Sequence, residues 1–527
     1  MREKIISLLK KQISEDVMPV VSVAENKVFG HYTTNIAFRL GKLRGKNPRD
    51  VVEDLAKEIK KEKLFERVEV AGGGFLNFWI SQKTLAKELT EILNKKDLYG
   101  KKKLPKGKKK KIQIEFISAN PTGPLTLANG RGGFLGDAIA NVLESAGHNV
   151  EREYYVNDAG NQVRTFGLSL IACAGIIPFE ENFYKGEYVK EWAEKNVKTV
   201  KKLKDDPEKL GATAAKDFLK LIKIAVEKKA GIKFDRYTSE KLDVHDKKYI
   251  EKTLKLFSEL GVSYEQDGAL WLRTTDYGDD KDRVLITSEK TPTYFLADAG
   301  HYLETKKRGF DGKILILGPD HYGYVSRIQA AAKIVGLENS DVIITQAVRL
   351  LSGGKEAKMS KRKGVFVTFG ELVEDVSADA ARFFFLMISP DTHMDFDIDL
   401  AKERSLKNPV FYAQYAHVRA LSIIKKARVK KGKIDLSLLD TKEDINLILK
   451  LSEFPEILED SSSDYAIHRI TRYILELSKT FHNFYEVERV SGVSDELARA
   501  RLELVSASAI VIKNALDVLG VGSPKKM

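Results

Sequence analysis

Apolar and polar residues follow two rhythms along this chain, and the changes of rhythm divide it. MREKIISLLKKQISEDVM at the start puts Ile5, Ile6, Leu8, Leu9, Ile13 and Val17 at helical spacing with charges between them. This predicts an amphipathic helix, because the uninterrupted apolar stretch of a signal peptide is missing. PRDVVEDLAKEIK from Pro48 reads as another helix, and RVEVAGGGFLNFWI (67–80) as two short strands broken by Gly72, Gly73 and Gly74. A small α/β domain with its linker is expected over residues 1–105. It closes on a basic stretch in which Lys101, Lys102, Lys103, Lys106, Lys108, Lys109, Lys110 and Lys111 are punctuated by Pro105 and Gly107. Like-charge repulsion keeps such a stretch extended and solvated.

IQIEFISAN (112–120) alternates like a strand, and GRGGFLGDAIANVLESAG (130–147) reads as a helix led by glycine. KILILG (313–318) is a short apolar run ending in glycine, the habit of buried parallel strands. Strands alternating with helices predict an α/β, doubly wound parallel sheet over residues 106–375, with a charged helical insertion near 170–285. Beyond Val376 the pattern turns helical: Ile470, Ile474, Leu477, Phe481, Phe484 and Tyr485 form an apolar stripe. An all-helical domain is expected over 376–527.

Composition narrows the classes. At roughly 150 residues per domain, a chain of 527 residues holds about three or four. The 88 Lys and Arg exceed the 75 Asp and Glu by 13, so the surface favours polyanions, a hint of nucleic acid. Cys173 is the only cysteine, which excludes an internal disulfide framework and a multi-thiolate metal site and predicts a cytosolic protein. No apolar run approaches the roughly 20 residues of a membrane span.

Candidate chemistry concentrates in two segments. SANPTGPLTLANGR (118–131) leaves a strand, turns on Pro and Gly, and enters a helix whose first turn holds Gly130, Gly132 and Gly133. Free N–H groups and the positive helix end favour an anion there, although a glycine-rich helix start also serves tight packing. Gly136 falls one position late for the dinucleotide fingerprint, and no Walker sequence occurs, so a bound nucleotide needs another device. KMSKRKG (358–364), preceded by Gly353 and Gly354, supplies one: three lysines and an arginine suit a clamp for a triphosphate or pyrophosphate.

Together with YYVNDAGNQV (154–163), DAARFFFL (379–386), NPVFYAQYAH (408–417) and GVGSPKKM at the C-terminus, these segments resemble arginyl-tRNA synthetases, a class I aminoacyl-tRNA synthetase family, over essentially the whole chain. The resemblance implies a Rossmann-like catalytic domain, a tRNA-contacting N-terminal domain and a helical anticodon-binding C-terminal domain. It implies L-arginine, ATP with Mg²⁺ and tRNA(Arg) as partners, with no protein-held metal, no membrane and a monomeric cytoplasmic enzyme. Arginine activation would require bound tRNA, and hydrolytic editing is not expected.

By that resemblance Glu115, Ser118, Asn120, Tyr294 and Asp298 bind arginine, which fits a guanidinium's need for a carboxylate fork. Which of Glu115 and Asp298 takes which end of the substrate stays open. Pro121, Thr122, Gly123, Thr126, Asn129, Gly130, Asp320, His321, Lys358, Met359, Ser360 and Lys361 match ATP-binding positions, and Thr126, Asn129, Lys358 and Lys361 are the expected catalytic residues. Tyr324 lies in the same GPDHYGYVSR segment. Tyr412, Gln414, Tyr415, His417 and Arg419 are the expected tRNA contacts, where aromatic and basic residues interleave.

One departure stands out. The family's His-x-Gly-His becomes Thr126-Leu127-Ala128-Asn129, which replaces two imidazole donors by neutral ones. Charge-assisted hydrogen bonds are roughly twice as strong as neutral ones, so the phosphate contacts are expected to differ. Two other readings follow: a tRNA-binding protein on a synthetase scaffold that does not aminoacylate, and another ATP-dependent ligase with the same nucleotide fold. The second leaves the large helical C-terminal domain unexplained.

Overall fold

A computed structural model describes residues 1–24, 26–356 and 368–527. The N-terminal unit pairs β1 (Val21–Val23), β2 (Tyr32–Thr34), β3 (Phe65–Ala71) and β4 (Phe75–Ile80) in the order β1-β2-β4-β3, all antiparallel. Gly72, at φ 53°, makes the turn between β3 and β4. The helix Pro48–Ile59 starts where Asn47 accepts the Arg49 N–H at 2.9 Å and Pro48 sits in the first turn, where its missing N–H costs nothing. The first helix, Arg2–Lys11, buries Ile5 and Leu9. Arg2 grips Asp460 through both guanidinium nitrogens at 2.7 and 2.8 Å, fastening this unit to the C-terminal helices.

The centre is a five-stranded parallel sheet of β5 (Lys111–Glu115), β6 (Asn149–Val156), β7 (Arg236–Ser239), β11 (Gly312–Leu317) and β12 (Asp341–Ile344), ordered β12-β11-β5-β6-β7. β8 (Ser263–Gln266), β9 (Ala269–Leu272) and β10 (Arg283–Ile286) form a separate antiparallel sheet. The stretch expected as a helical insertion is therefore interrupted, because β7 returns to the central sheet and β8–β10 follow. Its helical part is real: helices Asn161–Cys173 and Pro207–Lys223 pack through Phe166, Leu170, Leu210, Ala214 and Phe218. They cross so closely that a Cβ on Gly167 would lie 1.8 Å from the Pro207 carbonyl oxygen.

β13 (Val348–Ser352), β14 (Lys355–Glu356) and β15 (Met394–Asp397) make a small mixed sheet beyond β12, so a short strand breaks the expected all-helical region. The helices Pro409–Lys426, Lys442–Ser452, Phe454–Asp464, His468–Val487 and Asp495–Leu519 complete the C-terminal unit. Ile470, Ile474, Leu477, Phe481 and Phe484 are all buried there. No helix among the described residues is long and apolar enough to cross a membrane.

Candidate active site

The chain leaves β5 toward β6 on one side and reaches β11 on the other, so adjacent parallel strands feed connections in opposite directions. Such a switch point opens a crevice at the carboxyl ends of the strands. Glu115 is the last residue of β5 and lies opposite Leu315 of β11. Immediately after it the backbone turns left-handed at Ile117 (φ 66°) and Ser118 (φ 37°), a costly conformation for a β-branched residue. The end of β6 holds this turn in place. Tyr154 donates its hydroxyl to the Ala119 carbonyl at 2.7 Å, the Tyr155 N–H donates to Ser118 Oγ at 3.1 Å, and the Asn157 amide donates to Asn120 Oδ1 at 2.7 Å. The YYVN segment is thus the clamp of the SAN segment.

The chain then runs through the buried Pro121 and Thr122 to Thr126, which caps the helix Leu127–Ser145. Asn129 Oδ1 accepts both the Thr126 N–H at 2.9 Å and the Thr126 hydroxyl at 2.8 Å. The threonine proton is committed within the chain, and the Asn129 amide nitrogen is the side-chain donor left at this helix N-terminus, where an anion is favoured. Gly123 lies under Tyr188, whose ring a Cβ would meet at 2.8 Å. The helix glycines serve packing. A Cβ on Gly130 would meet the Phe369 ring at 2.2 Å, one on Gly133 would meet Ile117 at 2.8 Å, and one on Gly136 would meet Phe116 at 2.3 Å. Gly130, expected at ATP, seats the Phe369 ring and donates its N–H to the Thr126 carbonyl at 3.3 Å.

Facing the crevice from the helix Tyr294–Lys307 are Tyr294, 66% exposed, and Asp298 one turn on. Tyr324 donates its hydroxyl to Asp298, the one side-chain hydrogen bond to that carboxylate among the described residues. Burial pushes the Asp298 carboxyl up to about 6; the Tyr324 hydroxyl opposes the shift, while Glu115 and Glu240 add to it by repulsion. Glu115 differs. Its Oε2 lies 2.6 Å from the ammonium of Lys313 on β11, a side chain with 0% exposure. Asp320 and His321 stand exposed on the short helical turn Pro319–Tyr324 that leaves β11.

Behind Glu115, His301 Nε2 lies 2.6 Å from Glu153, which also accepts from Arg308 at 2.8 Å and Gln113 at 2.7 Å. Burial works against ionisation of Glu153, yet His301, Lys313 and Arg308 hold its carboxyl well below the ordinary range. Glu115, Glu153 and His301 are the one group among the described residues with metal-ligand spacing. They do not fit a resident metal: the Lys313 ammonium is already there, 2.6 Å from Glu115 and 3.3 Å from His301.

Lys358, Met359, Ser360 and Lys361 lie outside the described residues. Gly353 and Gly354 turn left-handed between β13 and β14, and the Gly353 N–H donates to Asp399 at 2.6 Å. On the far side Thr368 caps the next helix with Glu371, and the Phe369 N–H donates to the Leu125 carbonyl at 2.9 Å. The chain downstream of residues 358–364 is therefore bonded directly to the turn between β5 and the helix Leu127–Ser145.

In the C-terminal unit the expected tRNA contacts separate into two sets. Gln414 is buried and donates to Asp379 and to the Gly522 carbonyl, both at 2.8 Å, and His417 Nδ1 lies 3.0 Å from the Pro524 carbonyl. These two are buried and anchor the C-terminal tail. Tyr412, Tyr415 and Arg419 are half-buried and form a cluster with two residues that sequence reasoning did not assign. His482 packs 5.2 Å from Tyr412 and 5.8 Å from Tyr415, and Arg419 sits 4.7 Å over Tyr485.

Comparison with known proteins fits this arrangement. Residues 1–80 match the arginyl tRNA synthetase N terminal domain, residues 88–385 the catalytic domain of class I (R) tRNA synthetases, and residues 413–527 the DALR anticodon binding domain. An arginine–tRNA ligase of Carboxydothermus hydrogenoformans is 42% identical over 523 residues, covering 95% of this chain and 93% of that protein. One from Citrifermentans bemidjiense is 43% identical over 517 residues, covering 94% and 93%. The Thermus thermophilus arginyl-tRNA synthetase shares the fold with a TM-score of 0.79 at 21% identity, each chain covered 100%. With a catalytic-domain match over more than half its length and relatives this similar across nearly all of it, the chain belongs to the arginyl-tRNA synthetases, the class I arginine–tRNA ligases.

Proposed function

We propose that the crevice at the β5–β11 switch point activates L-arginine with ATP·Mg²⁺ and passes the arginyl group to tRNA(Arg). The observation that carries this reading at residue level is Asp298: a desolvated carboxylate at the crevice, with a tyrosine hydroxyl and no Lys or Arg ion pair among the described residues, suits a guanidinium. Tyr294 covers the same pocket. Ser118 and Asn120, fixed by β6, orient the substrate's amino acid end.

The arginine carboxylate attacks the α-phosphorus, pyrophosphate leaves, and the 2′-hydroxyl of the terminal adenosine then displaces AMP from the carbonyl carbon. No protein nucleophile takes part; positioning and electrostatics supply the acceleration. Pro121, Thr122 and Gly123 border the nucleotide, with Asp320 and His321 across the crevice. Asn129 donates to the phosphates from the helix N-terminus, and Thr126 holds Asn129. Lys358 and Lys361, with Met359 and Ser360 between them, take the pyrophosphate, a role supported by the bond from Phe369 to Leu125 next door.

Tyr412, Tyr415 and Arg419, joined by His482 and Tyr485, are the stacking surface proposed for the anticodon. On the N-terminal unit, exposed Phe29 and Phe75 flank a cavity of about 410 Å³ that also offers Asn77, a second surface for an unstacked base. We propose a monomeric enzyme, and ATP and tRNA as substrates support a cytosolic one.

The test is ATP–pyrophosphate exchange by the purified protein. Exchange that needs both arginine and tRNA(Arg) is expected; none with any cognate tRNA would leave a binding protein instead. Within this scheme Asn129→Ala is expected to lower turnover by about 10- to 100-fold, the worth of a hydrogen bond to a charged phosphate of ~1.5–3 kcal/mol. Thr126→Ala should cost less, because its hydroxyl acts through Asn129. Steady-state kinetics of the two variants decide the order, and a larger loss in Thr126→Ala would contradict it.

A further inference from the structure

Lys313 lies on β11, a central strand of the sheet, yet it carries a charged amine with 0% exposure. Such burial is costly unless the charge is paired. The partners are specific: Glu115 Oε2 at 2.6 Å, His301 Nδ1 at 3.3 Å, and the Tyr302 ring at 4.7 Å from its centroid. His301 is in turn fixed on both faces of its role, by Glu153 at 2.6 Å and by the ring of Tyr155 stacked at 4.2 Å. Glu153 is tied to Arg308 and Gln113. The ammonium therefore sits at the inner end of a rigid train of groups that starts at the floor of the arginine pocket.

The charge count in the pocket follows. Glu115 contributes one negative charge and Lys313 cancels it. Asp298 contributes another and, among the described residues, is hydrogen-bonded by the Tyr324 hydroxyl alone. Glu240, further out, lies 3.2 Å from His245, and Asp158 accepts from Ser239 and from the Lys241 N–H. Glu115 is thus paired with an ammonium, whereas Asp298, Glu240 and Asp158 have no Lys or Arg partner among the described residues, and the pocket is left net negative toward a substrate whose side chain carries one positive charge.

We propose that Lys313 is a positioning residue for arginine recognition: its ammonium fixes Glu115 through one oxygen and cancels its charge, so that the guanidinium is drawn to Asp298 and not to Glu115. Glu115 then serves as an oriented acceptor through its second oxygen. The inference rests on the arginine-activating reading of this crevice given above.

The experiment is tRNA-dependent ATP–pyrophosphate exchange by the full-length wild type, Lys313→Met, Glu115→Gln and the double variant. Lys313→Met is expected to raise the KM for arginine by about tenfold or more, the effect of leaving one member of a buried pair alone, with the KM for ATP within about twofold. On the Glu115→Gln background the same substitution should add less than about twofold, because Lys313 acts through Glu115. Effects that multiply, equal effects on ATP and arginine, or an unchanged arginine KM would each overturn the proposal. Should Lys313→Met fail to fold, the double variant, which leaves no lone charge, is compared with Glu115→Gln: equal arginine KM values support the proposal and a further tenfold rise overturns it. A wild type without arginine-dependent exchange would overturn the parent reading as well; a normal wild type beside an unaffected Lys313→Met would overturn this inference alone.

Discussion

Asp298→Asn is expected to raise the KM for arginine by about 10²- to 10³-fold while that for ATP stays within a few fold. The size follows from removing one partner of a desolvated charge pair, ~3–4 kcal/mol at 1.4 kcal/mol per tenfold. Asn is nearly isosteric with Asp and still offers Tyr324 an acceptor, so the pocket keeps its shape and loses only its charge. Steady-state exchange kinetics with each substrate varied in turn provide the check. Equal rises for arginine and ATP would make Asp298 a structural residue.

The second large effect lies away from the reacting groups. Arg382, 2% exposed, donates to Asp137 on the nucleotide-turn helix, to the Leu519 carbonyl at 3.2 Å and to the Ala230 carbonyl at 3.4 Å. One guanidinium thus joins the catalytic domain, the end of its insertion and the last C-terminal helix. Arg382→Met is expected to destabilise the protein by about 3 kcal/mol, the low end for breaking a buried pair. Asp137 keeps a second partner, Arg152, at 3.1 Å, which holds the loss to that end. Denaturant unfolding followed at the C-terminal helices measures it; an unchanged midpoint would show that the junction carries no stability.

This explains why DAARFFFL stood out. Asp379 accepts from Gln414 and from the Gly522 N–H at 2.9 Å, and Arg382 reaches the catalytic helix, so the motif is a junction. Sequence periodicity located the strands of the site well, because β5 and β11 are buried runs with clear apolar patterns and the β3–β4 turn needs glycine. It missed β7, an edge strand whose residues RYTS are mostly half-buried and carry no apolar run. It placed Gln414 and His417 on the RNA side because aromatic and polar residues interleave there. The small-residue stripe Ala413, Ala416 and Ala420 marks that face as the buried one, with Gln414 and His417 lying on it. Lys313 gave no signal, since a lysine beside a glycine at the start of a strand reads as a solvated end. Only the pairing of β11 between β5 and β12 puts it inside.

In the proposed reaction an ionised Asp298 receives the guanidinium. In the free protein this carboxyl titrates at about 6, and a cationic ligand selects its ionised form. Arginine stays protonated at its guanidinium throughout. Glu240, which burial also pushes upward, shifts the balance in the same direction. The most direct measurement is kcat/KM for arginine in tRNA-dependent exchange between pH 8 and about pH 5, with folding monitored alongside. The account predicts a plateau above about pH 6 and a fall approaching tenfold per pH unit below it. A flat profile down to about pH 5 in the folded enzyme would contradict it.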